Sequence, residues 1–134
     1  LIAPHQLIGL PYRLGADPEH HGASDCLNLC RAVLAWYGIS TPAPERSWYR
    51  RLRTGDLTVF SEELERWGEK VTEAKVGTVG LLTGPEQFGA LTVFYEDGWL
   101  QFSAIKTIIW VPLTGLTPAA LYCPQKSNCV IVSD

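Results

Sequence analysis

One residue in this chain is well placed for nucleophilic chemistry. It is Cys26, in the segment His21-Gly22-Ala23-Ser24-Asp25-Cys26-Leu27. A thiol attacks as its thiolate, and the amino end of a helix stabilises negative charge through free N–H groups and the helix dipole. Ser24 and Asp25 are both good N-caps, so a helix starts here and Cys26 falls in its first turn. Its own N–H and that of a neighbour could also hold an oxyanion. The competing reading makes Cys26 a small residue on a core-facing stripe, which is also the reading of Cys30 one turn later.

Thiol chemistry needs a proton acceptor, and the histidines are His5, His20 and His21, with none after position 21. His20 and His21 lie on a polar stretch just before Cys26. They read either as a substitute base bordering a cleft or as solvated loop residues. As a metal set with Cys26 and Cys30 they match no standard zinc spacing. Neither a metal nor another cofactor is expected. Cys123 and Cys129 read either as a local disulfide or as free thiols.

The elements that must position Cys26 follow from the pattern of apolar residues. Residues 1–10 suit a short helix ending at Gly9, and residues 11–24, with Pro11, Gly15, Pro18 and Gly22, read as a loop. Cys26, Leu29, Cys30, Val33, Trp36 and Tyr37 recur at helical spacing until Gly38. A short helix is expected around 45–53, where Trp48-Tyr49-Arg50-Arg51 suits a binding surface or an amphipathic helix with two core aromatics. Another is expected over Ser61–Trp67, stopped by Gly68. From about residue 75 the period becomes two, giving strands over 78–82, 90–95, 99–104, 107–111 and 119–123, with Asp97-Gly98 as a hairpin signal. Helices followed by an antiparallel meander make an α+β domain with segregated layers, spanning residues 1–134 as one unit.

Composition narrows the function classes. At 134 residues the chain can bury about two-thirds of its unfolded surface. A net charge of −3 argues against nucleic acid or an anionic membrane surface as the main partner. No apolar run approaches the ~20 residues of a membrane span.

The stretch Gly9-Leu10-Pro11-Tyr12-Arg13-Leu14-Gly15, followed after a short loop by Asp25-Cys26-Leu27-Asn28-Leu29, resembles the NlpC/P60 family of papain-like cysteine peptidases, which usually cut peptide links in bacterial cell walls. The family pattern is G-x-P-Y-x-x-G, then D-C-x-x-L at a helix start. Residues 77–82 resemble its next strand without the usual aspartate, and residues 90–98 resemble the strand that normally begins with histidine. The resemblance implies a papain-like fold of N-terminal helices on an antiparallel sheet, with Cys26 at the nucleophile position. It puts Ala90 where the catalytic histidine belongs and Gln101 at the third polar position. Tyr12 and Asp25 become cleft residues; Tyr12 also reads as a loop aromatic on the core, and Asp25 as a plain N-cap.

Loss of a general base commonly costs ~10²–10⁴ in rate. The reading is therefore a catalytically weak or inactive NlpC/P60-like domain. It would bind a cell-wall peptide or act among other subunits of an assembly such as a phage tail, since small domains with this pattern look like those encoded with tail components. A bacterial envelope or a phage particle is the location this implies. The alternatives are an active cysteine peptidase or amidase on peptidoglycan, with His20, His21 or a partner's group as base, and a plain structural domain with no cleft function, favoured if Cys26 is wholly buried and inert.

Overall fold

A computed structural model of the chain describes residues 1–124. Among them, helices come first: α1 (Pro18–His21), α2 (Cys26–Trp36), α3 (Arg46–Arg53) and α4 (Thr58–Trp67). Strands follow: β1 (Glu69–Val71), β2 (Val79–Leu81), β3 (Leu91–Phe94), β4 (Gly98–Phe102), β5 (Ile108–Pro112) and β6 (Ala120–Cys123). Short 3-10 turns occupy Pro4–Leu7, Gln87–Gly89 and Leu113–Gly115. Cys129, and with it the pairing considered for Cys123, lies outside the described residues.

Each helix has a local reason. In α2 the Asp25 side chain caps the first turn by accepting from the Asn28 N–H. Leu27, Leu29, Val33 and Leu34 are buried, and the helix packs on β3 and β4. Each such side chain contributes about 1.5–3 kcal/mol when withdrawn from water. In α3 the alternatives for Trp48–Arg51 resolve into an amphipathic helix. Trp48 is buried, its indole N–H donating to the Val59 carbonyl, while Arg51 pairs with Asp56 and Glu62 at the surface. Helix α4 begins at Thr58, earlier than the expected Ser61, because Val59 and Phe60 are core residues and Trp48 packs edge-on against Phe60.

Two elements differ from expectation. Residues 18–21 form a helical turn rather than loop: Asp17 accepts from the His20 N–H, Pro18 presets the first position, and Gly22 closes in the left-handed region. Glu69–Val71, short and mostly exposed, becomes a strand only because β6 pairs with it, Lys70 opposite Tyr122.

All strand pairs are antiparallel, in the order β1-β6-β2-β3-β4-β5. The expected meander holds for β2 through β5. The last strand breaks it, crossing back to insert between β1 and β2, with Tyr122 opposite Val79. At the β3–β4 hairpin the tight turn is Glu96-Asp97, both at positive φ, with Tyr95 and Gly98 exchanging backbone hydrogen bonds. Gly98 is already in the strand. A Cβ there would lie 2.4 Å from the Trp110 ring and 2.5 Å from the Val111 carbonyl oxygen, so this glycine serves packing rather than the turn.

Candidate functional site

Cys26 occupies the first position of α2, as the spacing predicts, but its thiol is closed off. The residue is 1 % exposed. Its Sγ–H donates to the Gln87 carbonyl at 3.3 Å, and the backbone N–H groups of Leu91 and Ala90 also act on the sulfur. Burial pushes the thiol well above its ordinary range, and the carboxylate of Asp25 and the neighbouring Cys30 push it the same way. The N–H groups oppose this and lose. A helix terminus thus fails to generate a thiolate here because desolvation outweighs it.

The cover over Cys26 is the turn Gln87–Gly89, between β2 and β3. Phe88 packs edge-on against Tyr12, 6.1 Å between ring centroids, and the Lys106 ammonium sits 5.3 Å above the Phe88 ring. Tyr12 also meets Phe102 edge-on at 5.3 Å. Its hydroxyl is buried with no hydrogen-bond partner, and burial, helped by the nearby Cys26 and Asp25 side chains, holds its proton on.

Asp25 is committed to structure. One carboxylate oxygen accepts from the Asn28 N–H at 2.7 Å; the other accepts from the Gly15 N–H at 2.9 Å and from the Tyr49 hydroxyl at 3.0 Å. Asn28 in turn donates to the Ala16 carbonyl and accepts from Arg31. This network ties the Pro11–Ala16 loop, α2 and α3 together. Burial raises the Asp25 pKa, against the pull of these hydrogen bonds.

The comparisons with known proteins can be set against this geometry. No protein-family model and no curated protein matches the chain. Among solved structures, the P60 domain of antigen MAP1204 from M. avium subspecies paratuberculosis is similar over 90 % of this chain and 88 % of that one, at 17 % identity and a TM-score of 0.56. The chain has a P60-like fold. At that identity the likeness speaks for the fold alone.

Within the P60-like fold the expected site residues divide. Cys26, Asp25, Tyr12 and Ala90 come together at the start of α2. Ala90 does lie beside the sulfur, through its backbone. Gln101 is not in this group. Leu100 and Phe102, its neighbours on β4, belong to the core beneath α2, so strand alternation turns Gln101 to the opposite sheet face, where its amide oxygen is buried without a partner. Phe102 faces Tyr12 instead. His20 and His21 are largely exposed, and their ring nitrogens meet Asp17 rather than the thiol. Among the described residues no cluster of His, Cys, Asp or Glu could hold a metal ion. No described helix is long and apolar enough to cross a membrane.

Two participants had no signal in the sequence. Nothing in Gln87-Phe88-Gly89 marks it as the cover of a thiol sixty-one positions earlier. Tyr49 stood out only as part of an aromatic-basic run, whereas its hydroxyl is the link between α3 and Asp25.

Proposed function

We propose that this chain is a P60-like domain in which peptidase chemistry is absent or severely weakened, and that it acts by binding cell-wall peptide or by contacting other subunits of an assembly such as a phage tail. The observation that carries the reading is the state of Cys26. Its thiol is buried, protonated and engaged with the Gln87 carbonyl. The chain has no histidine beyond position 21 to remove the proton, and Ala90 stands beside the sulfur. A cysteine hydrolase needs an accessible thiol, a base within reach and space for a carbonyl carbon near 3 Å from sulfur. The first two are wanting, and the Gln87 carbonyl oxygen stands 3.3 Å from the sulfur where a substrate carbonyl would approach. The resemblance of residues 9–15 and 25–29 to tail-associated domains supports the assembly role.

The test is incubation with muropeptides of defined stem composition, followed by chromatography and mass spectrometry. No cleavage above that of a Cys26→Ala variant is expected. Turnover that disappears with Cys26→Ala overturns the proposal.

A further inference from the structure

The opposite face of α2 carries a second feature, independent of the closed thiol. A cavity of about 470 Å³ lies between α1, α2 and α3, bordered by Asn28, Arg31 and Tyr49 on its polar side. We propose that it binds the free carboxylate end of a short peptide or amino acid on Arg31.

The Arg31 guanidinium is held at two points. Its Nε–H donates to the Thr41 hydroxyl at 3.2 Å, and one Nη1–H donates to the Asn28 amide oxygen at 3.1 Å. Both acceptors are neutral, so they orient the group without compensating its charge. None of the ion pairs among the described residues involves Arg31. Asp25 and Glu63 feel its charge, but Asp25 is turned onto Gly15, Asn28 and Tyr49, and Glu63 pairs with Arg66. Two of the five guanidinium N–H groups are used, which leaves one on Nη1 and two on Nη2 to receive a carboxylate. Asn28 is itself fixed, donating to the Ala16 carbonyl at 3.0 Å and to the Tyr49 hydroxyl at 3.4 Å. The fork is therefore held before any ligand arrives, which lowers the entropy cost of binding.

The rest of the lining selects the ligand class. Asp17 and Glu19 border the same cavity, but each is engaged there, Asp17 with the His20 ring and Glu19 with the Leu1 amino group, which leaves Arg31 as the cavity's free donor. Ala32, Ala35 and Pro44 supply a small apolar wall, suited to a methyl-sized side chain. The volume falls in the range of small-molecule sites and accommodates about a dipeptide.

The test titrates the isotope-labelled protein with alanylalanine, with its C-terminal amide and with inorganic phosphate, following backbone amide shifts. The dipeptide is expected to give saturable shifts centred on Asn28, Arg31 and Tyr49 at millimolar concentrations. The amide should bind at least about ten-fold more weakly, the loss expected for a charge-assisted pair, and phosphate binding as tightly as the dipeptide would overturn the assignment to a peptide end. Arg31→Lys, which keeps the charge and loses the fork, should weaken the dipeptide similarly. Equal binding of acid and amide, or no saturable shift with the dipeptide, overturns the proposal. The comparison of ligands needs only the unaltered protein, so a misfolded variant does not blunt it. Its failure would leave the reading of Cys26 untouched.

Discussion

The Cys26 thiol donates to the main-chain carbonyl of Gln87, 3.3 Å away and sixty-one positions along the chain. The group best placed for nucleophilic attack is thereby turned into a structural hydrogen-bond donor. The covering Gln87–Gly89 turn also carries Phe88, which rests on Tyr12 and under Lys106.

If that cover is what silences the thiol, removing it should restore reactivity. Cys26 in the unaltered protein is expected to react with iodoacetamide much more slowly at pH 8 than a free thiol does. Phe88→Ala should raise the rate by about ten-fold or more, while Cys30, fully buried one turn further along α2, stays unmodified. Peptide mapping by mass spectrometry distinguishes the two cysteines. Equal Cys26 rates in both proteins would count against the cover.

Protonation of Cys26 also links to stability. Its folded pKa lies above the unfolded value, so below about pH 8.5 both states hold the proton and stability is unaffected. Above that pH the unfolded chain loses the proton and the folded one keeps it, so stability falls as pH rises until the folded thiol itself ionises. Cys30, Tyr12 and Tyr49 are shifted in the same direction and add to the slope. Cys26→Ala should make the alkaline slope shallower, read from denaturant unfolding as the pH is raised above about 8.5.

Asp25 joins three segments through one carboxylate. Asp25→Ala removes the cap on Asn28 and the acceptor for Gly15 and Tyr49 together, and should cost about 2–4 kcal/mol. Tyr49→Phe removes one of these bonds and should cost about 1 kcal/mol. Urea unfolding of the two variants checks the ordering, and a Tyr49→Phe loss equal to that of Asp25→Ala would contradict it.

The hairpin separates turn chemistry from packing. Gly98→Ala drives a methyl into Trp110 and the Val111 carbonyl, and should destabilise by about 1–3 kcal/mol. Asp97→Gly relieves a non-glycine residue held at φ 55° and should be neutral or mildly stabilising. Thermal unfolding of both variants gives the comparison.

The sequence by itself determined what depends on neighbours along the chain. The start of α2 at Asp25-Cys26 and the apolar stripe behind it were legible, as was the alternation of β2 through β5. So was the lack of any histidine downstream. These follow from capping, from the helical and strand periods, and from residue identity. Local signals also existed for α1, in Asp17-Pro18 and Gly22, although surrounding glycines and prolines disguised them.

Tertiary structure alone decided what depends on residues far apart. β6 pairs with β2 and β1 rather than β5, and β1 exists only through that pairing. Gln101 lands on the far sheet face because register sets orientation, and one residue of offset reverses it. The protonation of Cys26 was equally out of reach. A helix start favours the thiolate, burial opposes it, and burial was settled by a turn whose own sequence carries no trace of the thiol beneath it.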